Sequence, residues 1–329
     1  MRAIQITELT GPEHLQIVDV PEPEASHALT PGSGVVIDVH AAGVSFPELL
    51  QSRGEYQMKP DLPFIPGSEV GGVVRSAPEG SGLQPGDRVA AFCLLGGFAQ
   101  VAVAPAFATF RIPDDMSFRQ AAGLVLNYHT AYFALVTRGR LAAGETVLVH
   151  GAAGGVGTAV LQVARGLGAR TIGVVSTDEK ERIAREAGAD VVLRSDGDWK
   201  DAALEASDGG VDLLIDPVGG DRFLDSLRSL GRGGRLVVVG FTGGSIPEVK
   251  VNRLLLRNTE VIGAGWGAWA LTDTALFGEI GTAIDDLARQ GFIAPIVGPV
   301  FDLDDASAAL LCLDRREAVG KIVLDVPQS

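Results

Sequence analysis

Two folded units, a small β-rich barrel or sandwich and a doubly wound parallel α/β sheet, are what the sequence predicts. Three observations carry this. The chain has 329 residues, too many for one ordinary core and few for three. Its first third consists of short apolar runs broken by turn signals. Between Thr146 and Gly265, continuous apolar runs alternate with helix-period stretches, the pattern of a sheet covered on both faces.

In the first third, the runs Gly34 to Val39, Gly71 to Arg75, Asp87 to Phe92 and Ala99 to Val103 are separated by turns such as Glu79-Gly80 and Pro85-Gly86-Asp87. Ser117 is suited to cap a helix, and a second helix is expected from Thr130 to Val136. Six strands then follow in rhythm: Val147 to His150, Thr171 to Val175, Asp190 to Leu193, Val211 to Ile215, Arg235 to Val239 and Val261 to Ile262. Helices are expected at Val156 to Leu167, Glu179 to Ala187, Trp199 to Ala206 and Asp221 to Leu230. After Gly265 come a helix, Gly278 to Gln290, a Pro-bearing strand, a short helix around Asp304 to Leu313 and a strand at Lys321 to Asp325. This tail is too short for its own core and is expected to pack back on the first unit. The expected division is 1–122 with 267–329, and 123–266.

Composition narrows the function classes. Lys and Arg number 27 against 41 Asp and Glu, a formal charge of −14 with a pI near 4.8, which opposes nucleic-acid phosphates. The two cysteines, Cys93 and Cys312, build neither a disulfide framework nor a four-thiolate zinc cage. Mean hydropathy is +0.24, yet no uninterrupted apolar run reaches the roughly 18 residues of a membrane span, and charges appear by Arg2 and Glu8. The expectation is a cytoplasmic protein with reduced thiols.

The strongest local signal is Val147 to Gly157, a buried strand running into Gly151-Ala152-Ala153-Gly154-Gly155-Val156-Gly157 and then a helix. Small residues at 152, 154 and 157 fit the dinucleotide-binding turn with alanine in the first glycine slot. Such a turn admits a pyrophosphate and aims helix-start N–H groups at it. About twenty residues on, where NAD sites place a carboxylate against the ribose, stand Val174-Val175-Ser176-Thr177, with Lys180 in the next helix. Ser176 offers a hydrogen bond and Lys180 a positive charge, so NADPH is expected over NADH. The competing reading makes Ser176 a helix cap and Lys180 a solvated residue. Arg194 either joins the phosphate pocket or faces water.

Further motifs are Ala42-Gly43-Val44-Ser45-Phe46-Pro47-Glu48, Gly54-Glu55-Tyr56, Pro63-Phe64-Ile65-Pro66-Gly67-Ser68-Glu69, Pro85-Gly86-Asp87-Arg88-Val89, Thr130-Ala131-Tyr132, Asp216-Pro217-Val218-Gly219-Gly220 and Gly320-Lys321-Ile322-Val323-Leu324. In this order, and over almost the whole chain, they resemble the zinc-independent quinone oxidoreductase branch, zeta-crystallin included, of the medium-chain dehydrogenase/reductase superfamily. The resemblance implies a GroES-like β-barrel domain and a Rossmann domain with the cofactor in the cleft between them. It implies that Ala152, Ala153, Gly154, Gly155, Val156 and Gly157 hold the pyrophosphate. Ser176, Lys180 and Arg316 would surround the 2′-phosphate, and Thr130, Val218 and Phe241 would lie along the ribose and nicotinamide. It also implies a homodimer pairing edge strands near Val261 to Gly265.

Zinc-dependent relatives place a cysteine after the Gly43-Val44 turn and a His-Glu pair after Pro66-Gly67. Here stand Ser45 and Ser68-Glu69, so no metal is expected. Many quinone reductases carry asparagine at the Ser45 position, and Arg194 replaces a tyrosine common after the third strand. The expected activity is NADPH-dependent hydride transfer to a quinone or similar activated carbonyl. The alternatives are an enone or enoyl reductase, and a non-catalytic NADPH-binding structural or sensor protein. Ser45 is a candidate catalytic residue. Tyr56 is either a donor to the reduced oxygen or a packing aromatic. His129 is either a proton relay or a hydrogen-bonded structural residue, and Phe46, Phe64, Phe92 and Trp266 either line a pocket or fill the core.

Overall fold

The computed structural model describes residues 1–328. Its strands are β1 (Arg2–Gln5), β2 (Gln16–Asp19), β3 (Val35–Val44), β4 (Glu69–Ser76), β5 (Arg88–Phe92), β6 (Val101–Ala104), β7 (Thr109–Arg111), β8 (Thr146–His150), β9 (Arg170–Val175), β10 (Val191–Arg194), β11 (Val211–Asp216), β12 (Leu230–Val238), β13 (Glu260–Gly263), β14 (Val297–Asp302) and β15 (Lys321–Asp325). Its helices are α1 (Phe46–Ser52), α2 (Phe118–Ala121), α3 (Val125–Tyr132), α4 (Gly155–Gly166), α5 (Asp178–Glu186), α6 (Trp199–Ala206), α7 (Phe223–Ser229), α8 (Asn252–Arg257), α9 (Trp266–Ala270), α10 (Ala275–Arg289) and α11 (Ala306–Asp314).

The chain divides into two compact units. One comprises residues 1–126, 274–281 and 295 onward; the other comprises 127–273 and 282–294. Compared with the division expected from sequence, residues 123–126 fall with the first unit, and 267–273 and 282–294 with the second.

In the first unit the sheet runs β14-β15-β3-β4-β5-β7, with β6 also paired to β3, and β1 and β2 form a separate ribbon. The ten-residue β3 organises it. One edge pairs with β4, while the other is shared between β6 at Val35 to Asp38 and β15 at Ala41 to Val44. The register slips near Val39/Ala41, a bulge that bends the strand and lets a small sheet curl. The enclosed core includes Ile4, Val35, Ile37, Val39, Leu49, Val70, Val89, Phe98, Leu310, Ile322 and Leu324. Thus β14, α11 and β15 from the tail belong to this core.

The second unit holds an all-parallel sheet of order β10-β9-β8-β11-β12-β13. This is the doubly wound order, reversing direction between β8 and β11. Leu148, Ile172, Val174, Leu214 and Leu236 pack with Trp199, Phe223 and Leu227 of α6 and α7. The expected Thr130 to Val136 helix instead starts at Val125 and passes into π-type turns at Phe133–Arg138. Trp266, which by sequence either lines a pocket or fills the core, starts α9 and is 2% exposed.

Candidate active site

The glycine-rich turn connects β8 to α4. Gly154 is the N-cap, with extended backbone, and Gly155, Val156 and Gly157 form the first helical turn. First-turn amides have no acceptor within the helix, and they sit at its positive end. Ala152 and Ala153 are buried, whereas Gly154, Gly155 and Val156 are partly exposed. The alanines therefore anchor the turn and the next three residues present it. Gly157 is dictated by packing: a Cβ there would overlap the Gly151 carbonyl and lie 2.8 Å from the Ala152 Cα. At Gly154 a Cβ would meet only the Gly151 oxygen, at 3.5 Å, so its smallness leaves space for a ligand rather than for protein.

The crevice where the sheet reverses direction is flanked by the loops after β8 and β11. A Cβ on Gly151 would contact Val218 Cγ2 at 3.3 Å. Asp216, at the end of β11, is fully buried; its Oδ1 accepts the Val218 and Gly219 amides, both at 2.9 Å, and fixes that loop. Burial pushes the Asp216 carboxyl up, while the two amides and Arg222 pull it down. The loop after β12 closes on the same place, with Gly243 donating to the Val218 carbonyl at 2.7 Å and Phe241 37% exposed. Thr130 lies on α3 and is buried. Two further supports come from α3. Asn127 of α3 abuts Gly155, where its Nδ2 would lie 2.6 Å from a Cβ. Tyr128 donates to Gln162 of α4 at 2.7 Å. Both lie in apolar runs that periodicity reads as core.

At the end of β9, Lys180 Nζ donates to Ser176 Oγ at 3.4 Å. Arg194 donates from Nη2 to the Ser176 carbonyl at 2.7 Å and pairs with Asp178. Ser176, Lys180 and Arg194 are thus brought together. The helix cap is Thr177, whose Oγ1 accepts the Lys180 amide at 3.2 Å. This corrects the reading of Ser176 as the cap and leaves its hydroxyl outside the helix. Arg316 lies in the first unit, two residues beyond α11, with φ 60°.

In the first unit, β3, β4, β15 and α1 converge on a buried polar cluster. The register that sets Ile322 opposite Val44 brings Lys321 alongside Ser45. Lys321 Nζ donates to Ser45 Oγ at 2.5 Å and to Glu69 Oε1. The other Glu69 oxygen accepts the Leu126 amide at 2.9 Å. Glu48 of α1 accepts the Ser45 amide on Oε2 and the Ser68 amide on Oε1, both at 2.9 Å, and also the Ser68 hydroxyl at 2.5 Å. Burial pushes the Glu48 carboxyl up, against the pull of Ser68 and Lys321. Gly43 makes room for the ion pair, since a Cβ would sit 2.7 Å from Lys321 Cε and 2.8 Å from Glu69 Cγ. Tyr56 lies in the loop after α1, partly buried. Burial and then Glu48 push its hydroxyl up, so it stays protonated at neutral pH.

Residues 31–114 match the alcohol dehydrogenase GroES-like domain family, and residues 155–279 the zinc-binding dehydrogenase family. The chain is 39% identical over 329 residues to quinone oxidoreductase-like protein 2 of Mus musculus, covering 99% of this chain and 92% of that protein. The chain belongs to the zinc-independent quinone oxidoreductase branch of the medium-chain dehydrogenase/reductase superfamily. Quinone oxidoreductase of Rattus norvegicus is 35% identical over 316 residues, covering 94% of this chain and 92% of that protein. The solved quinone oxidoreductase of Thermus thermophilus, whose structures include an NADPH complex, has a TM-score of 0.83 and 36% identity. It covers 99% of this chain and 100% of that one. CurK enoyl reductase, at 24% identity and TM-score 0.87 with 99% of each chain covered, shares the fold.

The cluster around Ser45 explains how this quinone oxidoreductase family member departs from its zinc-binding relatives. Ser45 and Ser68 offer neither thiolate nor imidazole, and both Glu69 oxygens are taken by Lys321 and Leu126. An ammonium, rather than a divalent ion, balances Glu69, so zinc does not fit. Cys93 does not alter this: it is buried, and burial pushes its thiol up. Among the described residues no group of three or more His, Cys, Asp or Glu is placed to hold a metal, and no helix is long and apolar enough to cross a membrane.

The histidines of the second unit take structural positions. His129 is 2% exposed and stands edge-on to Trp266 at 5.4 Å between ring centroids. His150 is fully buried, 2.8 Å from Ser226 Oγ and edge-on to Trp199 at 4.8 Å. Phe64 and Phe92 are likewise buried, and Phe46 packs against the first core. Burial pulls both imidazoles down to about 3, with Arg222 adding to the effect at His150. Each stays neutral while folded but protonates near its ordinary value, about 6.5, once unfolded. Their contribution is complete above about pH 6.5 and falls as the pH drops toward 3, by roughly 2.7 kcal/mol per pH unit for the pair. Urea unfolding at pH 7 and pH 5 should reveal this slope, and His150→Gln should remove about half of it; an unchanged slope would refute the assignment.

Proposed function

We propose that this oxidoreductase reduces a quinone or similar activated carbonyl with NADPH and without metal. The observation that carries the cofactor reading is Lys180 on Ser176 at 3.4 Å, at a strand end where the Asp178 carboxylate is engaged by Arg194. NADPH supplies the reducing equivalents, two electrons carried as hydride. Amides around Gly154, Gly155, Val156 and Gly157 hold the diphosphate, with Ala152 and Ala153 fixing their directions. Ser176 and Lys180 hold the 2′-phosphate, and Arg194 orders the Ser176 carbonyl. Val218, Phe241 and Thr130 flank the ribose and nicotinamide. Ser45 and Tyr56 donate hydrogen bonds to the acceptor oxygen, Tyr56 because its hydroxyl is held protonated. The same donors serve an enolate, so an enone is the second acceptor class.

The second unit's edge supports a homodimer. Among the described residues, β13 has a partner strand only on its β12 side. Val261 on it is 36% exposed, and Leu255 and Leu256 of the preceding α8 are 75% and 80% exposed. An unpaired edge beside apolar surface is suited to strand pairing with a second copy.

Three outcomes are expected. NADPH oxidation should accelerate with 1,2- or 1,4-quinones, or with enones, and persist after chelation; binding of NADPH without turnover on either class would refute the catalytic reading. Lys180→Ala should raise the NADPH KM roughly tenfold or more, the worth of a charge-assisted hydrogen bond, while leaving the NADH KM nearly unchanged. Equal effects would exclude a 2′-phosphate contact. Light scattering should give twice the 34.2 kDa chain mass, and Val261→Glu should shift it to the monomer; a wild-type monomer would exclude the dimer.

A further inference from the structure

Ser45 has an unusual hydrogen-bond inventory. It follows β3, caps α1 and is 9% exposed. Its oxygen accepts from the Lys321 ammonium at 2.5 Å, which aims a positive charge at its lone pairs. Its own proton has no acceptor among the described residues. The nearby carboxylates do not claim it: Glu69 takes Lys321 and the Leu126 amide, and Glu48 takes the Ser45 amide and Ser68. A serine hydroxyl is ordinarily both donor and acceptor. Here the acceptor side is filled, and the nearly buried hydroxyl is left with a proton to give.

We propose that Lys321 is a positioning residue that makes Ser45 a dedicated hydrogen-bond donor for the oxygen anion left on a reduced enone or quinone. The inference rests on the functional reading above. Hydride adds two electrons to the acceptor, and negative charge collects on its oxygen. Ser45 Oγ–H stabilises that charge without giving up its proton, and solvent protonates the released enolate or hydroquinone anion. Donors fixed before charge develops cost no reorganisation when it appears. An ammonium behind the serine polarises its O–H bond, as charge-assisted networks do. Glu69 holds the ammonium in place, and Gly43 lets it approach.

The test is steady-state kinetics with NADPH on wild type, Ser45→Ala, Ser45→Thr and Lys321→Met, using one enone and one quinone. Ser45→Ala should lower kcat on the enone about 100-fold, the effect of losing one such donor, with the NADPH KM unchanged. Ser45→Thr should restore most of it. Lys321→Met should lose about as much, and combining it with Ser45→Ala should add little, because the lysine acts through the serine. The quinone, whose reduced oxygen is less basic, should suffer a smaller loss. If Lys321→Met does not fold, the charge-balanced Lys321→Met/Glu69→Leu replaces it with the same expectation. Ser45→Ala within twofold of wild type, losses that multiply in the combined variant, or equal losses on both acceptors would overturn the inference. Wild type inactive on both acceptors would instead overturn the functional reading, and that is visible before any variant is made.

Discussion

The first unit is organised around one buried charge pair, Lys321 on Glu69. Neither residue reaches solvent appreciably, and each sits on a different strand flanking β3. Burying two charges is costly, and the attraction offsets that cost only when the remaining valences are filled. Here they are filled, by Ser45 and by the Leu126 amide. Removing one partner leaves an uncompensated buried charge, a loss of about 3–5 kcal/mol in comparable pairs. The pair is accommodated at Gly43, where a Cβ would meet the Ala122 carbonyl first and then Lys321 and Glu69. In zinc-binding relatives a divalent ion occupies the equivalent region. In this chain the Lys321 ammonium is the cation that balances Glu69.

The second unit follows a simpler constraint. Its parallel sheet must be covered on both faces, so its strands are continuous apolar runs and its polar backbone ends gather at one rim. Where the strand order reverses, β8 and β11 send their loops to opposite sides and leave a crevice. Gly157 brings α4 down onto the turn, and Asp216 stiffens the opposite loop with two amide hydrogen bonds. The rim is thereby rigid at Asp216 and tightly packed at Gly157.

Sequence revealed the second unit best, because parallel strands are read locally from uninterrupted apolar runs and the phosphate turn is a contiguous motif. The barrel was less legible. β1, β2, β7 and α1 are short, and their partners lie far along the chain. Ser176 and Thr177 are equally good cap residues by composition, and only backbone geometry assigns the cap to Thr177. Trp266 was left open between pocket and core, since the ring it packs against, His129 of α3, lies much earlier in the chain. Lys321 was visible as the polar start of a strand and as part of the Gly320 to Leu324 motif, but not as an ion-pair partner. Its partners, Glu69 and Ser45, lie some 250 and 280 residues away, beyond the reach of any periodicity.

The placement of β15 against β3 bears on synthesis. A ribosome adds about 5–20 residues per second, so β3 emerges roughly 15–55 seconds before the strand that completes its edge. The contiguous parallel sheet of the second unit is available to condense during that interval. Until Lys321 arrives, Glu69 has no counterion, and the open flank of β3 is exposed to other nascent chains. Vectorial translation therefore favours maturation of the parallel-sheet unit before the one whose strands flank it in sequence, and chaperone protection is most valuable to the half-finished barrel.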